Sequence, residues 1–402
     1  MRDGLGREID YLRISVTDKC NLRCQYCMPP EGVTSVPHEE VLTLEEILRL
    51  VGIMEQLGIR KVRLTGGEPM VRKNLLWLVE QIHRLPGIEE IAMTTNGTMF
   101  AEQAEDYRKA GLTAVNISLD TLDPERFRKI TGGYIAGKCV TAEDMCGNSA
   151  SQKTMCKGVK LREGQGVDSV VHAIDAAIAQ NLQVKVNCVP CLEMNGEDIE
   201  SMAGLARDQK IDVRFIELMP IGCGREYTGL SSEEILARLE RAYGAACKVE
   251  QKSGSSSRLE QACESTNPVE QHKNMAAGTG EEYHGRTLGA SIRNTDGPAE
   301  YYHFPGFIGR IGFISPISHK FCKECNRIRL TCEGRLKLCL HYDRGLELKP
   351  LLRGGASDEE IKEQILAALQ EKPAEHHFRA QAADKAEANE DEEQRKMVQI
   401  GG

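Results

Sequence analysis

From about residue 10 to residue 220 the chain alternates short apolar runs with helical patterns, and most of the runs end in Gly, Pro, Asn or Asp before a helix begins. The spacing predicts strands at Leu12–Val16, Val62–Leu64, Ile91–Thr94, Ala114–Leu119, Gln183–Val189 and Val213–Leu218. It predicts helices at Leu44–Leu57, with Thr43 as N-cap, at Leu75–Leu85, around Ala101–Ala110, and at Val167–Ala179. Repeated βα units leave few choices: the strands lie parallel, in a sheet or barrel covered by helices. In such folds chemistry gathers at the C-terminal ends of the strands. The residues found there are Thr65-Gly66-Gly67-Glu68-Pro69, Thr95-Asn96-Gly97 and Asp120. The fold class is α/β and barrel-like.

Two stretches break the rhythm. Gly137–Gly166 and Ser253–Thr295 are polar, rich in small residues and without a hydrophobic period, so they read as loop insertions. Beyond them Tyr301–Ile314 reads as strands, Ser357–Gln370 as an amphipathic helix and Gln381–Lys396 as a solvated charged tail. The expected division is a barrel over 1–230 and a smaller region over 231–402. With 51 basic and 60 acidic residues the net charge is −9, which argues against nucleic-acid binding. No run approaches 18 apolar residues and no apolar leader opens the chain, so neither a membrane span nor secretion is expected, and the location read from this is cytoplasmic. In that compartment thiols stay reduced, and the 15 cysteines, an odd number, point to metal ligation or catalysis more than to bridges.

Cys20, Cys24 and Cys27 stand at C-x3-C-x2-C, with Tyr26 before the last. Three thiolates on a compact loop can each hold one iron of a 4Fe–4S cubane and leave the fourth iron open. An open position marks a catalytic centre rather than a structural one. A zinc knuckle is the competing reading, but it needs a fourth ligand, and neither His38 nor Cys139 stands at knuckle spacing. Cys322, Cys325, Cys332 and Cys339 could by spacing form a four-cysteine zinc ribbon. Cys188-x2-Cys191 is formally a redox motif but lies at a strand end, which favours a buried structural pair. Cys139, Cys146 and Cys156 match no ligand pattern and read as reduced loop thiols. Gly66-Gly67 lets a backbone edge approach a small zwitterion closely.

The first cysteine motif, with Gly66-Gly67-Glu68-Pro69 one βα unit downstream, resembles the radical S-adenosylmethionine (SAM) superfamily. The string from Cys322 to Leu340, C-x2-C-N-R-x-R-L-T-x2-G-x-L-x2-C-L, resembles the C-terminal motif of the GTP 3′,8-cyclase family of molybdenum cofactor biosynthesis. Leu12–Cys20, Thr94–Gly97, Ile117–Asp120 and the terminal Gly401-Gly402 resemble it as well. The resemblance implies a partial (β/α)6 TIM-like barrel with a smaller C-terminal α+β extension closing its mouth. It implies two 4Fe–4S clusters, on Cys20, Cys24 and Cys27 and on Cys322, Cys325 and Cys339, with Cys332 a bystander. It implies SAM contacts at Tyr26, Gly67, Ser118 and Met219, triphosphate contacts at Arg13, Arg63 and Lys185, and a further substrate contact at Thr94. Arg327, Ile328 and Arg329 would bind the substrate, Arg327 and Arg329 beside the second cluster, and Gly401 and Gly402 would enter the catalytic site formed with Cys20, Cys24 and Cys27. The implied activity is a lyase that turns GTP into 3′,8-cyclo-7,8-dihydro-GTP. Implied partners are a flavodoxin or ferredoxin as electron donor, a downstream cyclic pyranopterin monophosphate synthase, and a second copy in a homodimer. The rival functions are a radical SAM peptide maturase with an auxiliary cluster and a zinc-binding scaffold.

Overall fold

Six of the expected strands form within two residues of their predicted bounds: β1 (Tyr11–Ser15), β2 (Lys61–Thr65), β3 (Glu90–Thr95), β4 (Ala114–Ser118), β5 (Gln183–Cys188) and β6 (Asp212–Ile216). In the computed structural model, which describes residues 1–132, 166–249, 297–378, 393 and 395–400, they pair in parallel and in chain order. Most of the two expected insertions, with Cys139, Cys146 and Cys156, lies outside the described residues, as do Gly401 and Gly402.

The sheet continues past the sixth strand. β7 (Cys247–Lys248), β8 (Glu300–His303), β9 (Arg310–Ile314), β10 (Arg327–Leu330), β11 (Arg335–Lys337) and β12 (Gly345–Glu347) complete the order β12-β11-β10-β1-β2-β3-β4-β5-β6-β9-β8-β7. β10 lies parallel to β1 and β9 parallel to β6, so the C-terminal strands extend the six-stranded barrel wall at both edges. The outermost pairs are antiparallel.

Pleating decides which residues meet. Leu12, Ile14, Val62, Leu64, Val184, Val186, Val213, Phe215, Ile328 and Leu330 all belong to the buried apolar core. Their strand neighbours Tyr11, Arg13, Arg63, Lys185, Arg214, Arg327 and Arg329 point to the opposite face, because alternate side chains leave a strand on opposite sides. The helix Leu44–Gln56 covers the apolar side with Leu44, Ile47, Leu50, Val51, Ile53 and Met54. It starts at a capping box in which Thr43 and Glu46 exchange hydrogen bonds. Each such Leu or Ile contributes roughly 1.5–3 kcal/mol on burial. The helix expected around 101–110 is split into a 3-10 turn (Ala101–Gln103) and a short α-helix (Ala104–Lys109), since the backbone of Gln103 leaves the helical region. Among the described residues no helix is long and apolar enough to cross a membrane.

Of the expected charged tail only Glu393, Arg395 and Lys396 are among the described residues, and these three are not fully solvated. Lys337 on β11 is fully buried, and Glu393 makes an ion pair with it. Arg395 bonds Glu393 and reaches Asp343 at 2.9 Å, while Val398 and Ile400 are buried. A buried ammonium requires a partner charge, and the tail supplies it. Lys337→Met is expected to speed amide hydrogen exchange across residues 395–400 while leaving β1–β6 protected. Unchanged tail protection would show that the ion pair does not hold the tail.

Candidate active site

The first cysteine loop leaves β1 and is tied down by backbone bonds. Arg23 and Gln25 donate to the carbonyls of Thr131 and Ile130, and Cys27 and Met28 both donate to the Cys24 carbonyl at 2.9 Å. Burial pushes the Cys20 thiol up to about 11 and Cys27 up to about 12. Burial and then the neighbouring Cys27 and Cys20 push Cys24 well above the ordinary range. Three thiols that oppose one another's ionisation form a donor set suited to a cationic centre, which reverses that penalty. Among the described residues no three Cys, His, Asp or Glu side chains are grouped to share one metal ion. A cubane does not ask this, because each thiolate takes its own iron.

Around the loop the strand ends are stitched together by carboxyl groups. Glu68 accepts from the Thr95 hydroxyl and the Asn96 amide at 2.7 Å and from the Met70 amide at 3.1 Å, and burial raises it to about 7. Asn96 reaches the Cys20 sulfur at 4.0 Å. The Tyr26 hydroxyl donates to Asp120 at 2.7 Å, the Val189 amide donates to the other oxygen at 2.8 Å, and burial raises Asp120 to about 6. A cavity of about 30 Å³ is lined by Cys24, Tyr26, Asn96, Ser118 and Asp120. Two of the expected SAM contacts, Tyr26 and Ser118, therefore share one space. Gly67 lies against the cysteine loop, where a Cβ would stand 2.3 Å from the Lys19 carbonyl oxygen. A Cβ on Gly224 would stand 2.7 Å from the Met219 carbonyl oxygen and 3.7 Å from that of Tyr26, so the segment after β6 that carries Met219 runs beside the cysteine loop.

Inside the sheet the cations converge. In register, Arg13 lies between Arg63 and Arg329, and Tyr11 lies beside Arg327. Tyr11 bonds Arg63 through its hydroxyl, and the guanidinium groups of Arg63 and Arg327 sit 5.6 and 5.9 Å from its ring centre. Burial and then Arg329 push Arg13 well below its ordinary value, while burial and then Arg327 bring Arg329 down to about 10. Arg214 donates twice to Asn187, at 2.6 and 2.9 Å. Along the same face Thr94, Asn116 and Lys185 stand in register. Arg63 Nη1, Arg327 Nε, Thr94 Oγ1 and Asn116 Oδ1 are buried without a hydrogen-bond partner. The unpartnered donors of Arg63, Arg327 and Thr94 and the crowded positive charges fit a polyanion carrying several acceptors, while Asn116 Oδ1 offers an acceptor beside them. Ile328 departs from the expected site: the pleat turns its side chain into the apolar core, so only its backbone faces the cations.

The second trio also comes together. Burial raises Cys322, whose sulfur accepts from the His376 amide and senses Cys339 and Cys325. Burial raises Cys325 too, but Lys372, the Arg327 amide and the Arg327 and Arg7 cations outweigh it and leave that thiol below its ordinary value. Cys332 stands apart; burial takes it to about 12, with Asp18 and Glu333 next in effect. Arg7 braces the site by donating to the carbonyls of Cys322 and Pro373, both at 2.8 Å. Cys188 and Cys191 are fully buried thiols, as their place at a strand end suggests. The motif reading did not single out Tyr11, Arg7, Asn116, Arg214 or Lys372. The first, third and fourth could have been found by following the inward alternation of the strands.

Over all 402 residues and the full length of both chains, the protein is 38% identical to the GTP 3′,8-cyclase of Clostridium perfringens strain 13. It is 39% identical over 406 residues to that of Syntrophomonas wolfei, again covering both chains fully. The chain belongs to the GTP 3′,8-cyclase family. Within it, residues 14–143 match the Radical SAM superfamily and residues 271–378 match Molybdenum Cofactor Synthesis C, one family model for each cysteine trio. Streptococcus suis SuiB bound to its precursor peptide SuiA is a solved structure with a TM-score of 0.42 at 16% identity, over 59% of this chain and 46% of that one.

Two outcomes follow for this cyclase-family site. Gly67→Ala forces the turn off the Lys19 carbonyl and is expected to lower iron retention at the first trio, read by iron analysis after anaerobic reconstitution. Inorganic tripolyphosphate at about 100 times its Kd is expected to stabilise the chain by about 2.7 kcal/mol. Thermal unfolding should show a smaller gain at the same concentration for Arg63→Met. An equal gain would place the anion elsewhere.

Proposed function

We propose that this chain is a SAM-dependent radical GTP 3′,8-cyclase, a lyase whose product is 3′,8-cyclo-7,8-dihydro-GTP, the first intermediate of molybdenum cofactor biosynthesis. The observation that carries the reading is the set of buried cations on one face of the sheet, Arg13 in register between Arg63 and Arg329, with Arg329 beside the second cysteine trio. Cys20, Cys24 and Cys27 would hold one 4Fe–4S cluster and Cys322, Cys325 and Cys339 a second. Tyr26, Gly67, Ser118 and Met219 would hold SAM. When bound, the first cluster and SAM supply one electron and a 5′-deoxyadenosyl radical.

The remaining work falls to the chain. Arg13, Arg63 and Lys185 grip the triphosphate, with guanidinium groups able to take phosphate oxygens in pairs. Arg327 and Arg329, beside the second trio, orient the purine end, and Thr94 offers an unpartnered hydroxyl. So held, the ribose presents its 3′ carbon for hydrogen loss with guanine C8 in reach, which is the single conformer that ring closure needs. Val398 and Ile400 lie buried, so this end of the tail is packed against the protein. A flavodoxin or ferredoxin would supply two electrons, one for the cleavage of SAM and one that, with a proton, turns the cyclised radical into the dihydro product, and a cyclic pyranopterin monophosphate synthase would consume that product.

The test is an anaerobic assay of the reconstituted full chain with GTP, SAM and dithionite, followed by mass spectrometry. About eight irons per chain are expected, four per cubane, with 5′-deoxyadenosine and the cyclised nucleotide appearing together. 5′-Deoxyadenosine without change in GTP would overturn the substrate assignment in favour of a maturase. Two zinc ions and no iron would overturn the enzyme reading. A short C-terminal extension is expected to abolish turnover while both clusters still assemble.

A further inference from the structure

Tyr11 stands among the arginines, and nothing in the proposed chemistry so far uses it. On β1 it lies in register with Lys61 of β2 and Arg327 of β10, so Arg63 is its diagonal neighbour on the same face of the sheet. Arg63 Nε donates to the Tyr11 hydroxyl, and the guanidinium groups of Arg63 and Arg327 lie 5.6 and 5.9 Å from the centre of its ring. Arg327 also lies 5.3 Å from the centre of the Phe321 ring. Arg63 is buried, and its Nη1 has no hydrogen-bond partner. Desolvation raises the Tyr11 phenol, but Arg63, Arg13 and Arg327 outweigh it and leave the group below its ordinary value, so its oxygen sits in the field of all three.

We infer that Tyr11 is a positioning residue for the triphosphate and acts through Arg63: by taking the Nε proton it fixes the plane of that guanidinium and leaves Nη1 for the anion. This rests on the reading of Arg63 as a triphosphate contact. A guanidinium presents its N–H groups as a rigid fork, so holding one of them orients the rest. The choice of a phenol matters. Its oxygen accepts one hydrogen bond and its ring attracts cations, yet it leaves the guanidinium its full charge. A carboxylate in its place would offset that charge and compete with the phosphate. Without the hydroxyl, Arg63 is free to turn away from Arg13, its like-charged neighbour in register.

The experiment measures inorganic tripolyphosphate binding by calorimetry to reconstituted full chains of wild type, Tyr11→Phe, Arg63→Met and the double variant. Phenylalanine keeps the ring and removes only the hydroxyl. Tyr11→Phe is expected to bind about tenfold more weakly than wild type, and its effect should vanish in the Arg63→Met background. A general loss of structure would not give that non-additivity. A second readout needs no Tyr11 variant: with ¹⁵N-arginine labelling, the ligand-free wild-type chain should show an Nε–H resonance that exchanges slowly with water and is absent from Arg63→Met. Unchanged affinity in Tyr11→Phe, an equal loss in both backgrounds, or rapid exchange of that resonance would overturn this inference alone. Tripolyphosphate binding that ignores Arg63→Met would overturn the reading of Arg63 as a triphosphate contact as well.

Discussion

The rest of the structure is arranged around one electrostatic cost, that of holding several guanidinium groups inside a parallel sheet. Arg13, Arg63, Arg327 and Arg329 occupy three adjacent strands on one face, and burial together with mutual repulsion depresses Arg13 and Arg329. Desolvating a charge costs several kcal/mol even after relaxation. The chain sustains this because the other face of the same strands is almost wholly apolar and packed under helices, and because Tyr11 lies against two of the cations. Such a site is built before its ligand arrives, with donors that need not reorganise when charge is placed among them. Crowding these charges on one face costs stability, a common trade at functional sites.

The fold was legible from the sequence where local and global signals agree. The helix Val167–Ala179 has its predicted bounds, and the predicted Thr43 cap is in place. Both depend on hydrophobic period and capping chemistry within a few residues of chain. What was hidden is long-range. That β9 and β10 would join opposite edges of one sheet depends on pairings with β6 and β1, about 100 and 315 residues away, and no local pattern records them. The tail misled for the same reason: its composition is that of a solvated segment, and only a buried lysine on β11 shows why Glu393 is drawn in.

The site was legible as motifs and less so as geometry. Cys20, Cys24 and Cys27 announce themselves by spacing, and Ser118 and Gly67 by their place at strand ends. Asp120 was visible as part of a strand-end string, yet its task of fixing the Tyr26 hydroxyl appears only when β4 and the cysteine loop are side by side. Lys372 and Arg7 carry no motif at all. They act on the second trio from segments remote from it in sequence, through hydrogen bonds to the carbonyls of Arg327 and Cys322.

The two trios sit in opposite electrostatic surroundings, and this difference follows from the architecture. The first loop lies among the ends of the strands, where the nearest charges are the carboxyl groups of Glu68 and Asp120, and burial with those groups keeps its thiols protonated. The second lies beside β10, where Lys372, Arg327 and Arg7 draw Cys325 towards its thiolate form. Negative surroundings disfavour an added electron on a cluster and positive surroundings favour it. If clusters of one type occupied both trios, the site among carboxyls would be the stronger reductant and the site among cations the better place for an electron-rich, anionic ligand.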